Sequence, residues 1–255
     1  MEGIWIAGFV VLGTVVASFL NVCIDRLPNN ESLLSPRSHC ASCQHRLTIK
    51  DLVPVFSYLW LRGRCRYCQS PVPSRLLWVE VGTGALFGYL YWHYGFSFEL
   101  AITCFYCCLF VVLMVIDLEH NLVLNKITYP AMVAALLISA FTHEPGIVHA
   151  ITGGAIGLGL FLLIHLVFIR MGGTEYGDIK MAALMGLVIG YPLIFIAIVV
   201  GIYLGGLVAI MLLLFKRKNR KKGIPYVTYL SLGAILTLLF GSQMLHWCLR
   251  IFHYR

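Results

Sequence analysis

The chain has 255 residues, 60% of them hydrophobic and only 12% charged, with a formal net charge of +8 and a mean hydropathy of +0.86. That composition excludes an ordinary soluble globular domain and points to an integral membrane protein. The basic excess reads as a topology signal with attraction to anionic lipid as a by-product, and nucleic-acid binding is the weaker explanation.

A membrane-crossing helix needs about 20 largely apolar residues. On that measure the sequence predicts an all-α polytopic membrane protein with about eight spans and a small cytosolic zinc-ribbon-like module. The spans fall near 4–25, 76–94, 98–117, 127–142, 147–169, 178–191, 192–215 and 225–248. The first lacks the basic start of a cleavable signal, carrying Glu2 instead, and is expected to stay as a membrane helix. The segment 26–75 is the one long polar stretch. In the fifth span the run ITGGAIGLGLFLL offers small residues for close helix packing. The sixth span is short and breaks at Gly190-Tyr191-Pro192. No internal repeat is evident. The domain reading is a first helix at 1–25, the cysteine module at 26–75, and a membrane core at 76–255.

Orientation follows from the basic residues. The segments 26–75, 118–126, 170–180 and 216–223 hold 17 of the 19 lysines and arginines, leaving only Arg250 and Arg255 elsewhere. The expectation is a membrane protein with these segments in the cytosol and both termini outside.

Within the polar stretch lie Cys40-x-x-Cys43 and Cys65-x-x-Cys68, separated by 21 residues. Two such pairs suit a tetrahedral site of four thiolates, and Cys40, Cys43, Cys65 and Cys68 are the expected structural zinc ligands. Too few apolar residues lie here for a core, so bound metal would supply folding energy. Two disulfides are the other reading, and a cytosolic location argues against them. Cys104, Cys107 and Cys108 sit mid-span, where cysteine behaves as a small hydrophobe.

Two acids stand where apolar helices meet the membrane boundary: Asp117 closes AITCFYCCLFVVLMVID, and Asp178 follows MGGTEYG. Carboxylates there are costly unless solvated or paired, and a close pair is suited to activating water for peptide-bond cleavage. A solvated helix end and an ordinary N-cap are the plainer readings of each. No His-Glu-x-x-His or Gly-x-Ser-x-Gly motif competes with them.

Five segments in order resemble the type IV prepilin peptidases, membrane aspartic proteases that serve type IV pilus and secretion systems. They are SFLNVCIDRLP, the paired Cys-x-x-Cys, IDLEHNLVLNKIT, GGTEYGDIKMAALMG and KKGIPYVTYLSLG, the last similar to an Ile-Pro-x-x-Pro-type segment. Two departures stand out. Glu175 replaces the first glycine of the family's Gly-x-Gly-Asp, and Leu124-Asn125 replaces its Pro-Asp or Pro-Asn. The resemblance implies catalysis by Asp117 and Asp178 at the cytosolic face, on prepilin or pseudopilin precursors. It also implies methylation of the new N-terminal amine with S-adenosylmethionine. No Gly-x-Gly-x-x-Gly follows a strand, so the cofactor would need an unusual pocket between the cysteine module and the membrane, with ligands the sequence does not name.

Helix electrostatics assign Asp178, opening its helix, as the base toward water and Asp117, closing its helix, as the acid. Gly177 is expected to give backbone freedom and Lys180 to snorkel or meet substrate. Glu80 is expected to anchor helices, with a methyltransferase role as the sharper alternative. A polytopic transporter or channel with a structural zinc module is the competing class; it calls for mid-membrane acids and repeat symmetry.

Overall fold

A computed structural model of the chain describes residues 2–142, 145–168, 176–214 and 225–253. Among them it contains helices and no strand. Its helices are α1 (Glu2–Arg26), α2 (Phe56–Trp60), α3 (Arg75–Tyr94), α4 (Phe98–His120), α5 (Asn125–Phe141), α6 (Ile147–Phe168), α7 (Tyr176–Ile189), α8 (Leu193–Leu214) and α9 (Tyr226–His253). Each of the eight apolar runs is therefore helical. Five of the helices, α1, α4, α6, α8 and α9, are long and apolar enough to cross a membrane. At 14 residues, α7 rises only about 21 Å against a hydrocarbon core of about 30 Å.

The chain divides into two compact units, Met1–Val112 and Leu113–Arg255. In the first, α1 and α3 run antiparallel at close range. Trp5 meets Phe96, and Asn21 donates to the carbonyl of Leu76. Between these contacts Gly13 faces Thr83 and Gly84, where an added Cβ would lie 2.8 Å from the Thr83 carbonyl oxygen. An ion pair of Arg75 with Asp25 (2.5 Å) closes the end of the pair.

The polar segment between α1 and α3 folds as two matching knuckles. In one, the Cys40 amide donates to His45 and the Gln44 amide to Cys40; in the other, Cys65 donates to Ser70 and Gln69 to Cys65. Gln44 and Gln69 occupy the same left-handed conformation, at φ 57° and 58°. The signal was present as Cys-x-x-Cys-Gln written twice. Asp51 ties the knuckles together. Its carboxylate accepts from the Thr48 amide and hydroxyl on one side, and from Arg66 (2.6 Å) and Tyr67 on the other. Burial raises the Asp51 pKa, but those donors outweigh it and bring the group to about 2.

The second unit is built around α7, which is buried along nearly its whole length and packs on α5, α6, α8 and α9. The glycine-rich run expected to pack closely does so here. A Cβ on Gly153 would lie 2.5 Å from the Gly186 carbonyl oxygen, and one on Gly157 would meet the carbonyl of Ala182. The backbones of α6 and α7 touch because glycine faces glycine at Gly153 and Gly186.

Candidate active site and metal centre

The helix that carries Asp117 does not end there. It continues one turn to His120, where the Asn121 amide returns to the Asp117 carbonyl and Asn121 adopts φ 52°, a left-handed C-cap. Asp117 is thus inside the last turn, 5% exposed. The following segment, 121–124, is non-helical and leads into α5.

Asp178 lies in the first turn of α7 and is 8% exposed. The glycine before it acts differently from expectation. Gly177 is helical, and what it supplies is room: a Cβ there would sit 2.6 Å from the Val123 side chain. Its bareness lets the start of α7 press against the segment that leaves Asp117. Lys180 is likewise committed within the protein. Its Nζ donates to Asn125 (2.7 Å) and lies 5.5 Å over the Tyr129 ring, clasping α7 to the start of α5.

Both aspartates address one turn of α9. Tyr226 lies within electrostatic reach of Asp178, and Tyr229 of Asp117. Between these two tyrosines stands Thr228, a residue that sequence reasoning passed over. Its backbone amide donates to Asp117 Oδ2 at 2.7 Å and its hydroxyl to the same oxygen at 2.9 Å, with the Met114 carbonyl as a second acceptor at 3.1 Å. Thr228 stands where the Ile-Pro-x-x-Pro pattern has its second proline, a residue with no amide to donate.

The contact has two chemical consequences. An amide only donates, so Oδ2 is held as an acceptor, and a proton carried by Asp117 belongs on Oδ1. The donor is also an orphan first-turn amide of α9, so Asp117 faces the positive end of that helix as well as the negative end of its own. The assignment of Asp117 as the acid, argued from α4 alone, loses its basis. Glu175, the Gly172-Gly173 pair and the basic run from Lys216 to Lys222 lie outside the described residues.

In the first unit, the Sγ atoms of Cys40, Cys43, Cys65 and Cys68 all lie within 4.8 Å of one another, and Cys40 and Cys68 are 3.8 Å apart. Zinc–sulfur bonds of about 2.3 Å in a tetrahedron put sulfurs about 3.8 Å apart, so this arrangement can hold zinc. The knuckle amides of Cys43 and Ser42 pull Cys40 down to about 6. Cys43 is lowered by the His45 amide, but local crowding and the Cys68 and Cys40 sulfurs outweigh it and raise it to about 11. Four sulfurs this close favour some thiolate but resist full ionisation, and a cation among them removes that resistance. Ser70 Oγ, 3.1 Å from Cys68 and 3.7 Å from Cys40, supplies an outer hydrogen bond. The neighbouring histidines are used elsewhere: His39 contacts the Arg37 carbonyl and His45 stacks on Tyr67.

Glu80 proves to be an anchor. Its carboxylate, 8% exposed, accepts the Val55 amide at 2.7 Å and so ties the module to α3. Beside it a cavity of about 360 Å³ lies between the module, α1 and α3, with Ser18, Asp25, Tyr58 and Glu80 among its polar lining.

Two family models match in succession. Residues 11–94 match the bacterial peptidase A24 N-terminal domain, and residues 104–210 match the type IV leader peptidase family. The chain belongs to the type IV leader peptidase family. Leader peptidases similar to it include three proteins named prepilin leader peptidase/N-methyltransferase. The one from Stutzerimonas stutzeri is 27% identical, covering 92% of this chain and 90% of its own. The one from Pseudomonas putida is 29% identical with the same coverages. The one from Bacillus subtilis is 28% identical, covering 94% of this chain and 96% of its own. No solved structure matches the chain.

Proposed function

We propose that this leader peptidase cleaves prepilin and pseudopilin precursors with Asp117 and Asp178 as its paired catalytic acids. The observation that carries the reading is that both carboxylates are buried, Asp117 bonded to Thr228 of α9 and Asp178 within electrostatic reach of Tyr226, in a chain of this family. One carboxylate takes a proton from water as the water oxygen adds to the scissile carbonyl. The other, protonated, gives its proton to the carbonyl oxygen. Collapse breaks the carbon–nitrogen bond and the amine leaves with the proton first taken from water. Thr228 holds Asp117 in place, so proton exchange at that residue runs through Oδ1.

The wider reading is a bacterial inner-membrane enzyme of eight spans, both termini outside and the aspartates facing the cytosol. The 17 basic residues on the proposed cytosolic segments support it. A zinc ion held by the four cysteines stabilises the module. The names of the relatives support methylation of the new N-terminus. S-Adenosylmethionine, when bound, supplies an electrophilic methyl group to the freed amine. The cavity beside Glu80 is the proposed place for it, since its volume falls in the range of small-molecule sites, about 300–1,000 Å³.

Incubating the purified full chain with a prepilin and weighing the products tests this directly. The expected result is leader loss with the wild type, and a further 14-dalton gain when S-adenosylmethionine is added. Asp117→Asn and Asp178→Asn should each abolish cleavage, with the double variant little worse than either single. Substantial cleavage by either single variant would remove the pair from the mechanism.

A further inference from the structure

The cysteine module carries an apolar surface that its own fold leaves uncovered. Between Lys50 and Arg62, Ile49 at its edge and then Phe56, Leu59 and Trp60 are 86%, 62%, 60% and 72% exposed, with Leu52 and Val53 beside them. Phe56 and Trp60 stack one helical turn apart on α2. A short polar module gains nothing in water from showing two aromatics and four aliphatics together.

The position of this surface follows from a single hydrogen bond. Val55, at the entrance to α2, donates to Glu80, which lies five residues into α3. Five residues rise about 7 Å, and a helical side chain leans back toward the N-terminus. Glu80 also bonds Ser18 of α1, eight residues before the end of a helix long and apolar enough to cross a membrane. The Arg75–Asp25 pair marks the polar end of the same two helices. Val55 is therefore drawn to the level where α1 enters the bilayer, and the apolar residues of α2 lie at the interfacial layer.

Charge agrees with that depth. Lys50 and Arg62 flank the surface and are exposed. The acid within the segment, Asp51, is turned inward to Arg66, Thr48 and Tyr67. The face thus presents aromatic and aliphatic groups between two cations, the pattern of an interfacial anchor on anionic lipid. We propose that the segment from Ile49 to Arg62 dips into the bilayer interface and seats the cysteine module on an anionic membrane surface. This goes beyond the peptidase reading and does not depend on it.

The full chain, reconstituted in vesicles of phosphatidylethanolamine and phosphatidylglycerol, provides the test. Tryptophan emission is compared between wild type, Trp60→Phe and a variant keeping Trp60 alone, using lipids brominated near the headgroup end or near the methyl end of the acyl chain. Trp60 should be quenched at least twofold by the shallow bromines, less by the deep ones, and little by aqueous iodide. Charge reversal at Lys50 and Arg62 should reduce that quenching in vesicles rich in phosphatidylglycerol. Equal zinc content in wild type and Trp60→Phe establishes that the module is intact. Trp60 open to iodide and indifferent to bromolipid overturns the proposal. So does protection of Trp60 by added prepilin without bromolipid quenching, which would make the face a peptide-docking surface.

Discussion

The cysteine module and the surroundings of α7 reach order by opposite means. The module holds its shape with turns, a buried carboxylate tied to four donors, and four sulfurs arranged for a metal. Around α7 the interior is apolar, and backbones meet at glycines. In water or at an interface, apolar burial is too scarce in a short segment to fix a fold, so polar pairs and a cation do it. Inside a bilayer the lipid is as apolar as the protein, and close contact between small residues decides which helices associate. The two regions should fail under different insults.

The largest effect belongs to the helix crossing. Gly186→Leu places a branched side chain against the Gly153 carbonyl and should cost about 3 kcal/mol or more. Detergent-solubilised protein should lose its thermal transition and its cleavage together, with zinc content retained. Chelation or Cys40→Ser should do the reverse: the module becomes protease-sensitive while the membrane helices stay inserted, and methylation falls further than cleavage. No zinc in the purified protein, with full activity in all four cysteine variants, would defeat the metal assignment.

A smaller effect is expected at Thr228. Thr228→Val keeps the shape and the amide but deletes the hydroxyl that reaches Asp117, so kcat should fall about 10-fold with KM little changed, as expected for one charge-assisted hydrogen bond. Thr228→Ser should restore most of it. A stability loss with no change in kcat would make the residue structural only.

The smallest effect concerns Asp51. Its folded pKa of about 2 lies below its ordinary value of 3.8. The stabilisation it gives is therefore present above about pH 4 and lost as pH falls through 2, on the order of 1–2 kcal/mol. Hydrogen exchange at residues 48–52 should be faster in Asp51→Asn at neutral pH, and the difference from wild type should vanish near pH 2.

Helix positions were legible because a bilayer imposes length and polarity on each span separately. The sixth segment, read as 178–191 with a break at Gly190-Tyr191-Pro192, is a helix that ends at Ile189, where that break begins. The sulfur cluster was equally legible, since Cys-x-x-Cys spacing is local chemistry. The surroundings of the aspartates were not. Thr228 is 111 residues from Asp117, and Val55 is 25 from Glu80; neither pairing leaves a periodic trace. For the same reason, helix-dipole reasoning about Asp117 was incomplete: it saw the helix that carries the residue and not the one that faces it.

The shortness of α7 bears on how the protein is made. A 14-residue segment with Asp178 and Lys180 in its first turns is a poor candidate to leave the translocation machinery for lipid alone. The glycine face of α6 is synthesised just before it, and the α8 and α9 walls just after. So α7 finds its main partners, α6 and α5, already made, and a chain stalled before α9 leaves Asp117 without its Thr228 donors.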